Sequence, residues 1–202
     1  GYKGNYMYCY CTKSSHFEFV LNEALKNDIH LETSSAFDIP IIRDLAENNK
    51  IAKDRYILCN GFKRENYTDG IIELMNDGFT NVIPILDNKD ELNYYLENYS
   101  GKVKIGIRIA AEEEPNAEFY TSRLGVRYNE IIEFYKNHIQ NNPNVELKLL
   151  HFFINTGVKD TAYYWSELQK NINLYCELKK ICPELEMLDI GGGFPIRTKL
   201  DF

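Results

Sequence analysis

Cysteine is sparse: five in 202 residues, an odd number, with no Cys-x-x-Cys pair among Cys9, Cys11, Cys59, Cys176 and Cys182. That usage indicates neither a disulfide framework nor a zinc ribbon, and a reducing cytoplasm is the expected setting. No apolar run reaches the length of a membrane span, and the residues from Gly1 to Asn5 lead towards a strand-like segment instead of a signal peptide, so no membrane partner is expected. Positive charge is in deficit, with 23 Lys and Arg against 30 Asp and Glu and a net charge of -7. The balance opposes nonspecific nucleic-acid binding and permits cationic small substrates. No repeat, low-complexity tract or linker divides the chain, so residues 1–202 are expected to form a single domain.

What is present is 44% hydrophobic and 26% charged, enough for one large domain with a core. Short β-like runs alternate with longer amphipathic segments. Tyr6 to Cys11 is strand-like and precedes Ser15-x-x-Glu18, a capping-box pattern, then Phe17, Val20, Leu21, Ala24 and Leu25 at helical spacing. Ile29 to Leu31 leads through a Ser34/Ser35 cap to Ile41, Ile42 and Leu45, with Pro40 early enough in the helix to be tolerated. Tyr56 to Cys59 leads to Ile71, Ile72, Leu74 and Met75. Val82 to Leu86 leads by way of Asn88-x-x-Glu91 to Leu92, Tyr95 and Leu96. Val103 to Ile109 and Val145 to Phe152 follow the same plan, with helices near Ile131 to Ile139 and Ala162 to Ile181, and a seventh strand ends at Ile190. The helical spacing of Trp165, Leu168, Ile172 and Tyr175 makes that stripe core packing, and Cys9 and Cys11, alternating on one strand, are also expected in the core. Seven strands at about 25 to 40 residues per unit demand a parallel sheet covered by helices. The count favours an α/β fold of the (β/α)8 TIM-type barrel over a doubly wound sheet, and a barrel short of its eighth strand agrees with a chain that stops at Phe202.

Lys13, Glu32, Asn60, Arg108, His151 and the run Gly191-Gly192-Gly193 fall at or just past the C-terminal ends of predicted strands, the face on which barrel enzymes build their sites. Three consecutive glycines clear side chains from backbone N–H groups, so a phosphate would fit there, although an isolated triplet is better read as a tight turn leaving a strand. Arg108, inside an apolar strand, calls for a phosphate or carboxylate partner. Lys13 is the candidate amine, against the plainer reading of a helix-flanking lysine. Asp38, three residues after Ser35, could simply complete a capping box, and His151 suits a satisfied wall histidine. A phosphate site and a lysine across a barrel mouth suggest pyridoxal phosphate, whose aldehyde condenses with a lysine amine and whose ring acts as an electron sink.

On these residues the chain resembles the barrel domain of the fold-type III, alanine-racemase-like pyridoxal-phosphate decarboxylases, the family of ornithine, diaminopimelate and arginine decarboxylases. Within it the biosynthetic arginine decarboxylases are most similar. The matches run in order: Lys13 in Tyr10-Cys11-Thr12-Lys13-Ser14-Ser15, then Glu32-Thr33-Ser34-Ser35-Ala36-Phe37-Asp38, Arg108-Ile109-Ala110, Ser122-Arg123-Leu124-Gly125, and Gly191 with Gly192 and Gly193. The resemblance implies that Lys13 is catalytic and holds the cofactor, that Arg108 and the glycine backbone neutralise its phosphate, and that Glu32 and Asp38 orient loops or contact cofactor-side groups. After strand six the family usually carries His-x-His-hydrophobic-Gly-Ser, whereas this chain reads His151-Phe152-Phe153-Ile154-Asn155-Thr156. Phe153 takes the ring-stacking position with a π face but no proton donor, and Thr156 keeps the phosphate-side hydroxyl.

No metal is implied. The implied activity is decarboxylation of a basic amino acid, foremost L-arginine to agmatine in polyamine and spermidine biosynthesis, by a homodimer or higher homo-oligomer when full length. The family's last barrel strand and its C-terminal β domain do not occur in these residues, so the piece alone is expected to be inactive. A non-catalytic barrel homologue that binds cofactor or a partner stays open, since Phe153 would allow it. The glycine run also resembles the first motif of S-adenosylmethionine methyltransferases, but that motif should open a domain, whereas six βα units precede it and Pro195 falls where the third glycine belongs. A dinucleotide fold fails because Ile196 stands at the helix-packing glycine.

Overall fold

The structure, a computed structural model, describes residues 3–110, 124–154 and 161–194. Strand and helix alternate as the pattern predicts: β1 (Cys9–Cys11), α1 (Glu18–Ala24), β2 (His30–Thr33), α2 (Asp38–Glu47), β3 (Ile57–Cys59), α3 (Glu65–Asn76), β4 (Val82–Leu86), α4 (Glu91–Asn98) and β5 (Val103–Arg108). A 3-10 turn (Tyr128–Glu130) then runs into α5 (Ile131–Phe134) and a π-helical turn (Tyr135–Ile139), followed by β6 (Val145–His151), α6 (Thr161–Lys179) and β7 (Met187–Asp189). Among the described residues no helix is long and apolar enough to cross a membrane.

The chain forms two compact units, one of Gly1–Ile85 with Asp90–Lys104 and one of Leu86–Lys89 with Ile105–Phe202. In the first, β1, β2, β3 and β4 follow one another in chain order, all parallel, with Cys9 opposite His30, Leu31 opposite Ile57, and Ile57 opposite Val82. Parallel neighbours cannot be joined by a hairpin, and α1, α2 and α3 are the crossovers that this pairing requires. Every residue of β3 and β4 is buried, the continuous apolar run of a parallel strand covered on both faces. Tyr67 of α3 is buried whole, and its hydroxyl meets Thr33 Oγ1 at 2.7 Å, so its polar end is satisfied inside. In the second unit β6 and β7 are parallel, with Leu149 opposite Met187 and His151 opposite Asp189. The Ile109 N–H donates to His151 O at 2.7 Å and ties the end of β5 to the end of β6.

Several local expectations are corrected. β1 is pared to Cys9–Cys11, the residues that pair with β2, and Tyr6 and Tyr8 are exposed. Cys9 and Cys11 are half-buried instead of core, β1 being the outermost strand of its unit. The Ser15 capping box does not form: α1 is capped by Phe17 without a side-chain bond, and Ser15 instead accepts from the Tyr10 hydroxyl through its carbonyl, at 2.9 Å. Nor does Asn88 cap α4, whose N-cap is Asp90; Glu91 turns to Lys63, at 3.1 Å. In α6 the expected stripe is displaced. Tyr164, Asn171, Leu174 and Leu178 are buried, whereas Trp165 is 63% and Ile172 36% exposed. The buried face is centred on the heptad of Tyr164, Asn171 and Leu178, and a step of one residue turns a side chain about 100° away from it.

Candidate functional site

In the first unit the predicted site residues cluster at the ends of β1, β2 and β3. Lys13 stands on the turn after β1. Its neighbour Thr12 is buried, and both the Thr12 N–H and Oγ1–H donate to Glu32 O, at 2.9 and 3.1 Å. The Ser14 N–H donates to Cys11 O at 3.0 Å and closes the turn, leaving Lys13 exposed on a backbone fixed from both sides. Burial and the Glu32 carboxylate push the Cys11 thiol up, against the opposing pull of Lys13, so Cys11 stays a protonated, weak nucleophile beside the amine.

Glu32 and Asn60 are held together, Asn60 Nδ2 donating to Glu32 Oε1 at 3.1 Å, and the Gly61 N–H donates to Asn60 Oδ1 at 2.9 Å. Asp38 is buried at the first position of α2. Its Oδ2 accepts from the Ser34 and Ser35 N–H groups at 2.9 and 3.0 Å and from the Ser35 hydroxyl at 3.1 Å. The carboxylate therefore shapes the β2–α2 connection. Asp38→Ala should lower stability by about 1–2 kcal/mol, read as a shift of the urea midpoint without a change of slope.

Lys63, which the sequence did not single out, is wholly buried along its side chain. Its ammonium donates to Gly61 O at 3.1 Å and to Ile85 O, and faces Glu91 Oε1 at 3.1 Å, so it clamps the ends of β3 and β4. The one sequence signal for it was Glu91, read as a helix cap.

In the second unit Arg108 ends β5 and is buried. Its Nη1 lies 3.8 Å from Oδ1 of Asp87, a buried residue directly after β4, and its Cζ lies 5.8 Å from the centroid of the Phe153 ring. The carboxylate that a buried guanidinium demands thus comes from the chain itself, and Phe153 offers the cation a π face. A loop segment locks this end of β5. The Gly125 N–H donates to Asp87 O at 2.7 Å, Val126 N–H to Arg108 O at 2.8 Å, and Ala110 N–H to Val126 O at 2.9 Å. Gly125 has φ +111°, and a Cβ there would stand 2.7 Å from Ala110 N, so only glycine passes. Ser122, Arg123 and Thr156 lie outside the described residues.

His151 ends β6 and is buried, with Nδ1 2.7 Å from Asp189 Oδ2, while Asp189 Oδ1 accepts from the Gly191 N–H at 2.8 Å. Burial pushes the Asp189 carboxyl up, but His151 and the Gly191 N–H outweigh it and hold the group below the ordinary aspartate value. The glycine run is not uniform. Gly191 has φ +68° and a Cβ there would stand 2.8 Å from Phe152 O, whereas Gly192 is exposed with nothing within 4 Å of its Cβ position. Gly191→Ala should cost about 2–3 kcal/mol and Gly192→Ala less than about 0.5 kcal/mol, compared by thermal or urea unfolding.

The unit thus carries a guanidinium and an exposed glycine turn at strand ends, groups that suit a phosphate. Among the described residues no cluster of three or more His, Cys, Asp or Glu could hold a metal ion.

The family model for the pyridoxal binding domain of pyridoxal-dependent decarboxylases matches residues 2–201. The biosynthetic arginine decarboxylase of Prochlorococcus marinus (strain MIT 9215) is 29% identical over 174 residues, covering 82% of this chain and 26% of that protein. Arginine decarboxylase 2 of Arabidopsis thaliana is 23% identical over 206 residues, covering 97% of this chain and 29% of that protein. The chain therefore spans less than a third of the length of these curated relatives. Among solved structures, the diaminopimelate decarboxylase of M. jannaschii in co-complex with L-lysine has a TM-score of 0.76 at 16% identity, covering 98% of this chain and 46% of that one. The Paramecium bursaria Chlorella virus arginine decarboxylase bound to agmatine has a TM-score of 0.69 at 19% identity, covering 92% and 47%. At such identities the likeness shows the fold, the parallel (β/α) barrel type expected from seven strands that alternate with helices. Because the domain match runs to within one residue of each end, the chain belongs to the pyridoxal-dependent decarboxylases, as their pyridoxal binding domain.

Proposed function

We propose that the full-length protein is a pyridoxal-phosphate-dependent carboxy-lyase acting on a basic amino acid, foremost L-arginine to agmatine, and so serves polyamine and spermidine biosynthesis in the cytoplasm as a homodimer or higher homo-oligomer. The observation that carries this is that relatives matching 82% and 97% of the chain are named arginine decarboxylases.

Each unit carries residues of the kind that the cofactor calls for. Lys13 is an exposed amine on a braced turn and would hold the aldehyde. Arg108 with the Gly192 and Gly193 backbone would hold the phosphate, aided by the Thr156 hydroxyl. When bound, pyridoxal phosphate supplies the electron sink that stabilises the charge left on the α-carbon as carbon dioxide departs. Glu32, locked to Asn60, and Asp38, locked to the Ser34–Ser35 backbone, keep the loops after β2 and β3 in place. Phe153 offers a π face and has no proton to give, so any proton delivered near it comes from another group.

The test is carbon dioxide release by the full-length protein with arginine, ornithine, lysine and diaminopimelate in turn. The expected result is turnover with arginine preferred. Preference for another amino acid overturns the substrate, and cofactor binding without turnover favours the second reading, a non-catalytic homologue, for which the Phe153 substitution speaks.

A further inference from the structure

We propose that Asp189 is a positioning residue that sets the glycine turn and the protonation of His151 with one carboxylate, an inference that rests on reading that turn as the phosphate cradle. Asp189 is the last residue of β7 and stands opposite His151 in the strand register. Three contacts fasten it. Oδ2 lies 2.7 Å from His151 Nδ1, Oδ1 accepts from the Gly191 N–H at 2.8 Å, and its carbonyl accepts from the Phe152 N–H at 3.0 Å. Gly191 in turn presses on Phe152 and Phe153 so closely that no Cβ fits. The end of β6, the end of β7 and the first glycine are therefore one braced corner.

Two consequences follow. The Gly191 N–H is committed to Asp189, so the donors of the run that face a ligand begin at Gly192, the position where the surroundings stand open. A carboxylate can only accept, so the proton of this contact sits on His151 Nδ1. Both demands need two acceptor oxygens on one side chain. An amide has one, so in Asp189→Asn the oxygen keeps the Gly191 N–H only if the nitrogen turns to the ring and donates to Nδ1, which reverses the tautomer.

The test uses long-range 15N–1H correlation of the histidine rings in the full-length protein, with the His151 signal assigned by its loss in His151→Phe. Nδ1 is expected to carry a proton at neutral pH in the wild type and to lose it in Asp189→Asn, whose amide oxygen stays on the Gly191 N–H and turns its nitrogen to the ring. In Asp189→Ala, which takes the acceptor away from the Gly191 N–H as well, the affinity for pyridoxal phosphate should fall about tenfold, while that for pyridoxal, which has no phosphate, changes less than about twofold. A bare Nδ1 in the wild type overturns the proposal, and that measurement stands even where the variant does not fold. Unchanged affinity for pyridoxal phosphate, or equal loss of both aldehydes, overturns it as well. If the wild type binds neither aldehyde the cofactor reading fails, and the state of Nδ1 still decides what Asp189 does.

Discussion

Lys13→Ala in the full-length protein is expected to cut decarboxylation by on the order of a thousandfold or more and to abolish the visible absorbance of lysine-bound pyridoxal phosphate, with folding intact. The reason lies in what surrounds the residue. The turn that carries it is made by Thr12 and Ser14 through backbone partners on Glu32 and Cys11, and the Lys13 side chain is exposed. Its removal takes away an amine without opening a cavity, so stability should change by less than about 0.5 kcal/mol. No neighbour takes over. The Cys11 thiol is kept protonated by burial and Glu32, and Lys63 is shut inside with its ammonium spent on two carbonyls and Glu91. Lys13→Arg sharpens the test, because a guanidinium keeps the charge but does not deprotonate to attack an aldehyde. Activity in the arginine variant at more than about a tenth of wild type would reduce Lys13 to a surface charge.

The placement of these groups was legible because strand–helix alternation is written in short-range periodicity, and the end of each apolar run marks the end of a strand. Lys13, Asn60, Arg108 and His151 lie where that rule puts them. What stayed hidden depends on partners far apart in the chain. Glu91 looks like a helix cap until Lys63 is beside it, and the buried Asp87 and half-buried Asp189 gain meaning only from Arg108 and from His151, the latter 38 residues away from its aspartate. The three glycines are identical letters, yet Gly191 and Gly193 take the left-handed backbone, at φ +68° and +80°, with the Cβ position of Gly191 crowded as well, whereas Gly192 does not and has open space around it. The face of α6 was misjudged for a related reason. Tyr164 and Trp165 are adjacent aromatics, and one residue of rotation decides which of them the core takes.

The Asp87–Arg108 pair offers the second large effect. Asp87→Ala should destabilise the protein by about 3–5 kcal/mol in urea unfolding, since it leaves a buried guanidinium short of its counter-charge. The two side chains are 1% and 10% exposed, so water does little to compensate. Asp87→Asn keeps an acceptor near Arg108 and should cost less. Arg108→Met alone strands the carboxylate instead, whereas Asp87→Leu with Arg108→Met removes both charges, and the double variant should recover most of what either single change loses. Affinity for pyridoxal phosphate then separates two roles for the pair. A pair kept for packing gives a double variant that is stable and still binds the phosphate. A pair kept to hold a cation at the tip of β5 gives one that is stable and binds pyridoxal phosphate about tenfold or more weakly, and this second outcome is expected because Asp87, Phe153 and the Gly125 loop all converge on that one guanidinium or its backbone.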